Sequence, residues 1–171
     1  LLSSTKNNII LDFNYTASTR LILKQCGLSD EDIDNRLIKV HGEASNNDII
    51  FGVEDNAGIK KEHVFLRKAY NIKYKALNFS ELYDRIKSVA IFGHSLGETD
   101  HTYFNKLFQE SCMYNKFSTN NNKEFWLFYY KENGYHCMMQ QLDSLTHNSL
   151  TSFRQYNRVN FINTDKEKVF I

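Results

Sequence analysis

An α/β fold with a mostly parallel sheet is what this sequence predicts, on three observations. Short apolar runs alternate along the chain with amphipathic stretches of helical length, the pattern of strands joined by crossover helices. One run, Ser88 to Phe92, stops at Gly93 and a polar turn before Asp100 opens a helical pattern over 101–115. Strand, glycine turn and helix start then lie together, as they do where parallel sheets receive ligands. Finally, 171 residues with 42% apolar and 14% aromatic content suffice for one domain, 1–171, with a real core and no internal repeat.

The elements follow in order. Asn7 to Phe13 reads as a buried strand broken at Asn14-Tyr15-Thr16, and 17–25 as a helix with Gly27 at its C-terminal cap. Ser29 before Asp30, Glu31 and Asp32 is a helix start with acid in the first turn. Leu37 to Val40 is a second apolar run, ending in His41-Gly42-Glu43, and Ile49 to Val53 a third, interrupted by Gly52. A polar loop over 54–58 leads to an expected helix over 59–70, with Phe65, Leu66, Ala69 and Tyr70 on one face. Asn78-Phe79-Ser80-Glu81 has capping-box spacing for a helix reaching about 87. The helix after Asp100 places Phe104, Leu107, Phe108 and Cys112 on one side; a loop at Asn120-Asn121-Asn122 and an aromatic strand over 124–130 follow. Asn133-Gly134 is a turn signal, Met138, Leu142, Leu145, Ser149 and Phe153 fall at helical spacing, and Val159 to Ile162 is a last strand.

Composition narrows the function classes. A formal net charge of +1 makes no electrostatic case for nucleic acid or an anionic membrane, and no apolar run approaches the roughly 20 residues that span a bilayer. Cys26, Cys112 and Cys137 are odd in number and lack CxxC spacing, so free thiols in a reducing, cytoplasmic setting are expected. The glycosylation patterns at Asn14 and Asn78 then read as chance. Leu1 is not a natural start, and a longer protein is expected.

Function rests on three polar turns that each end an apolar run: Asn14-Tyr15-Thr16, His41-Gly42-Glu43 and Gly93-His94-Ser95. If the runs are parallel strands, all three lie at the carboxyl edge, where open α/β sheets bind ligands. An amide, an imidazole and a glycine–serine turn suit a nucleotide, with the turn on phosphate and Asn and His on hydroxyls or water. Any one turn alone is ordinary; the conjunction favours a ligand site. The same stretch is also a literal G-x-S-x-G, which would make Ser95 the nucleophile of a serine hydrolase. The only later acid–histidine pair in the required order, Asp143 and His147, lies four residues apart on one expected helix, as packing neighbours rather than triad partners. A metal site from His94, Asp100, His101, His41 and Glu43 matches no zinc spacing, and none is predicted; His63, His136 and His147 read as surface or packing residues. The aromatic strand reads as core, since no basic stripe accompanies it.

Taken in order, Phe13-Asn14-Tyr15-Thr16, Val40-His41-Gly42-Glu43, Ile49-Ile50-Phe51-Gly52 and Ile91 to Asp100 resemble the AbiH family of bacteriophage abortive-infection proteins. The resemblance runs from about residue 8 to 108 and more weakly to the C-terminus; Gly-His-Ser-Leu-x-x-x-Asp is its most specific part. It implies antiviral defence. More distantly, the order is similar to sirtuin-like domains, including NAD-cleaving ones, and this implies a Rossmann-like three-layer fold and NAD or a related nucleotide as ligand. By that likeness Asn14 and His41 are catalytic, orienting water and contacting the ribose. Gly93, His94, Ser95, Asp100, Thr16 and Gly42 hold the nucleotide. Thr16 stands where the sirtuin-like pattern has aspartate, and the glycine-rich N-terminal strand-turn-helix of that pattern is lacking. The expectation is therefore the C-terminal portion of a longer protein. Three readings stand: an effector that hydrolyses NAD, a non-enzymatic sensor of a nucleotide or phage component, and a serine hydrolase. A phage-derived trigger and a homo-oligomer are the expected partners.

Overall fold

The computed structural model describes residues 8–53, 57–71, 85–113 and 122–166. The chain divides into two compact units, Leu1–Lys75 and Ala76–Ile171.

In the first unit, β1 (Ile10–Asp12) pairs in parallel with β2 (Leu37–Lys39), in a register that sets Ile10 opposite Leu37 and Asp12 opposite Lys39. The crossover between them is two helices, α1 (Ser18–Gln25) and α2 (Asp30–Asp34). Gly27 ends α1 as the sequence predicts. At φ +85° it lets its own N–H reach the Lys24 carbonyl (2.9 Å) and that of Leu28 reach the Leu23 carbonyl (3.2 Å), the paired bonds of a Schellman cap. Ser29 caps α2, its hydroxyl oxygen accepting the Asp32 N–H at 3.1 Å. Leu23 and Ile33, fully buried, are the core contributions of the two helices.

The remainder of this unit departs from expectation. The run Ile49 to Val53 forms no strand beyond a single parallel bridge between Val53 and Arg67. The helix expected over 59–70 is replaced by two 3-10 stretches, Lys61–Leu66 and Lys68–Tyr70. The bridge supplies the reason: the Val53 N–H bonds the Leu66 carbonyl and the Lys68 N–H bonds the Val53 carbonyl, which holds Arg67 extended and interrupts helical winding. Phe65, Leu66, Ala69 and Tyr70, expected on one face of that helix, are all exposed.

In the second unit three parallel strands run in the order β3 (Ser88–Ile91), β4 (Glu124–Tyr129), β5 (Arg158–Asn163). Ser88 stands opposite Glu124 and Ile91 opposite Leu127; Phe125 pairs with Val159 and Phe128 with Ile162. Central β4 carries the aromatic run, and Phe125, Leu127 and Phe128 are buried, as a strand flanked on both sides requires. Helix α3 (His101–Ser111) buries Phe104, Leu107 and Phe108 as expected, with Tyr103 beside them, whereas Cys112 caps the helix end and is half-buried. Phe108, Phe125 and Phe153 meet with centroids 4.8 to 5.6 Å apart.

Asn133-Gly134 is not a turn. It lies in the first turn of α4 (Lys131–Leu145), where Asn and Gly cost little; the chain turns instead at Lys131, at φ +57°. The helical spacing from Met138 to Phe153 covers two helices. Left-handed His147 and Asn148 separate α4 from α5 (Leu150–Tyr156). Asn157, buried at the end of α5, donates to the carbonyls of Ser111 (2.7 Å) and Phe153 (2.8 Å), joining the ends of α3 and α5. Cys26, Cys112 and Cys137 are free thiols, and burial pushes the Cys112 thiol up. Among the described residues no helix is long and apolar enough to cross a membrane. The capping box expected at 78–81 lies outside the described residues.

Candidate functional site

Parallel pairing puts the turns after β1 and β2 at one carboxyl edge of the first unit. The centre of that edge is a residue pair the sequence reading passed over. Lys39, the last residue of β2, donates to the Asp12 carboxylate (2.8 Å) and to the backbone carbonyls of Asn14 (2.6 Å) and Thr16 (2.7 Å). All three ammonium protons are thereby used, and the whole Asn14-Tyr15-Thr16 turn hangs on them. Asp12, 4% exposed, also accepts the Asn14 N–H at 2.9 Å. Burial opposes its charged form, but the Lys39 ammonium, the Asn14 N–H and the Thr19 hydroxyl outweigh it and hold the carboxyl below its ordinary range. The Glu43 carboxylate, buried as well, lies 3.9 Å from the same ammonium and accepts the Ser45 hydroxyl. One signal could have found this pair. Each of the two apolar runs carries a single charge near its carboxyl end, and the charges have opposite sign.

Around this clamp, Asn14 and Thr16 are exposed, whereas His41 is 5% exposed and packs against Phe13 (centroids 5.5 Å) and Tyr15 (6.0 Å). Gly42 is left-handed at φ +74°. The close approach it permits is to the chain itself, since an added Cβ would stand 2.1 Å from the Asp48 carbonyl oxygen.

The second unit presents the turn after β3. Gly93 and Ser95 are exposed; Gly93 has φ +65°, with open space where a Cβ would point. Leu96 is fully buried and left-handed at φ +55°, a conformation that costs a non-glycine residue about 1–2 kcal/mol. Two histidines hold it there. Its N–H donates to His94 Nδ1 at 2.9 Å, which places the His94 proton on Nε2, 3.3 Å from the Asp100 carboxylate. Its carbonyl accepts from His101 Nε2 at 3.0 Å, a nitrogen also 2.9 Å from Gln141 Oε1. The His94 ring packs edge-on against Phe104. His94 and Asp100, read from sequence as nucleotide contacts, thus hold each other and the turn. The roles of Leu96, His101 and Gln141 carry no sequence signal, because they depend on a backbone angle and on a partner forty residues away.

The serine-hydrolase geometry is not formed within this unit. A nucleophile elbow needs the N–H after the serine as an oxyanion donor, and here that N–H is taken by His94. Exposed His147 lies against the Gln109 amide nitrogen (3.0 Å). Among the described residues Ser95 has no histidine as a hydrogen-bond partner, and no group of three or more His, Cys, Asp or Glu residues is placed to hold a metal ion. His63 and His136 are exposed, as the sequence reading has them.

Of the predicted residues, the structure thus groups Asn14, Thr16, His41 and Gly42 at the edge of the first unit, and Gly93, His94, Ser95 and Asp100 at the turn of the second. A family model described as "Bacteriophage abortive infection AbiH" matches residues 1–130. No curated protein and no solved structure matches the chain.

Proposed function

The chain belongs to the AbiH family of bacteriophage abortive-infection proteins, and on that premise we propose that it acts in abortive infection by binding a nucleotide, NAD first among the candidates. One observation carries this reading. At the carboxyl ends of β1 and β3, exposed small or polar residues, Asn14 and Thr16 in one unit and Gly93 and Ser95 in the other, sit on turns pinned from beneath. Each turn stands at the carboxyl edge of its own sheet, the kind of edge at which parallel sheets take ligands. Open space over Gly93 allows a phosphate close to the backbone, and Ser95 offers a hydroxyl that both donates and accepts. The start of α3 is the poorer phosphate seat, because Glu98 and Asp100 already bring carboxylates there.

As an enzyme the chain would cleave the nicotinamide–ribose bond. That bond breaks with its electron pair leaving on nicotinamide, water oxygen bonds to the ribose carbon, and the water's proton is released. Asn14 then orients the water. His41 contacts the ribose and takes the proton, which requires Tyr15 to swing off the imidazole. The burial of His41 favours a second reading, sensing of the ligand without turnover, in which the imidazole stays a packing residue. Incubation of the full chain with NAD separates these readings, with and without extract of phage-infected cells. Nicotinamide release supports the enzyme, and a raised melting temperature without release supports the sensor. Neither, under both conditions, overturns nucleotide binding by NAD.

A further inference from the structure

We propose that the aromatic column formed by His41, Tyr15 and Phe51 is the seat of the ligand's planar heteroaromatic ring. The proposal rests on the nucleotide reading above in its sensing form, with Tyr15 left on the imidazole, and names the part of the ligand this edge takes. The rings follow one another outward. His41 is buried, Tyr15 lies 6.0 Å from it at an interplanar angle of 31°, and Phe51 lies 5.6 Å from Tyr15 at 34°. Tyr15 is 37% exposed and Phe51 71%, so the column ends in an open aromatic face at the carboxyl edge of β1 and β2.

That face is held in place from both sides. Ile50 is buried, and its N–H bonds the His41 carbonyl at 2.9 Å. Gly52 is pressed against the chain opposite, where an added Cβ would come within 2.5 Å of the Leu66 carbonyl oxygen. Val53 follows with its bonds to Leu66 and Lys68. An aromatic ring left in water on so constrained a backbone is a surface ready to stack. Exposed Asn14, next to Tyr15 in the chain, carries an amide whose donor and acceptor can pair with a base edge or a carboxamide. A protein partner would need about 800 Å² on this side, whereas a whole aromatic side chain offers about 150–250 Å². The two outer rings therefore suit one stacked ring rather than an extended interface.

The test measures affinities of the full chain and its Phe51→Leu and Phe51→Tyr variants for AMP, nicotinamide mononucleotide and ribose 5-phosphate. Phe51 is exposed, so both variants are expected to melt as the parent does. Leucine keeps much of the bulk but has no π face. It should weaken AMP or nicotinamide mononucleotide about tenfold and leave ribose 5-phosphate unchanged, while tyrosine keeps the parent affinity. The ligand that loses affinity identifies the ring as adenine or nicotinamide. If the parent binds these nucleotides and Phe51→Leu binds them equally well, or if ribose 5-phosphate binds as tightly as they do, the stacking site is wrong and the nucleotide reading survives. If the parent binds none of them, both fall.

Discussion

The turn after β1 and the turn after β3 do the same work by different chemistry. Both are polar segments at the carboxyl end of a parallel strand, and both present small or polar residues to solvent. The first is held by charge: one ammonium, neutralised by buried Asp12, takes two backbone carbonyls. The second is held by imidazole hydrogen bonds, with His94 on the N–H and His101 on the carbonyl of Leu96. A charged clamp gathers several acceptors at a point. An imidazole pair fixes a single residue in a conformation its side chain disfavours. The first arrangement should answer to acid and to loss of one residue, the second to loss of individual hydrogen bonds.

Two of the left-handed glycines, Gly42 and Gly93, give the widest contrast. Gly42→Ala drives a Cβ into the Asp48 backbone, so a loss above about 3 kcal/mol is expected, enough to unfold a marginal domain. Gly93→Ala meets only open space and should cost about 1 kcal/mol, the price of the backbone angle alone. Denaturant titration of both variants checks this, and equal losses would break the comparison.

Lys39→Met comes next. It leaves a buried carboxylate without its cation and two carbonyls without a donor, for a loss of about 3 kcal/mol at neutral pH. The pH dependence carries the sign. Native Asp12 is held below its ordinary range, so its contribution is complete above about pH 4 and is lost as pH falls through the native value. Without Lys39 the carboxyl loses the strongest opponent of burial, so it rises relative to its native value and the variant should be relatively favoured by acid. Melting temperatures between pH 3 and pH 7 should therefore converge on the acid side. Curves that stay parallel would remove the ion pair from the account.

Of the two side-chain substitutions, the smaller effect is expected at the second turn. His94→Leu removes the acceptor for one buried N–H, and about 1–2 kcal/mol should be lost, with no acid signature from Asp12 altered.

Local signals survived the passage from sequence to structure, and long-range ones did not. Gly27, Ser29 and the strand-turn-helix at 88–111 were legible because each is specified by neighbours within a few residues. The expected helix over 59–70 failed because Val53, outside the window, draws Arg67 into extended pairing. Asn133-Gly134 failed as a turn because a left-handed Lys131 had already reversed the chain and begun α4. At the site, the exposure of Asn14 and Ser95 agrees with a contact role, but the sequence could not say that His41 would be covered by Tyr15. Nor could it say that His94 would be occupied with Leu96 and Asp100, since both facts follow from packing.

Calorimetric titration of the full-length chain with NAD, repeated on Asn14→Ala and Ser95→Ala, tests nucleotide binding most directly. Saturable binding by the parent, weakened about tenfold in at least one of the two variants while the melting temperature holds, is the predicted result. A folded parent chain that shows no saturable heat with NAD up to millimolar concentration would contradict it.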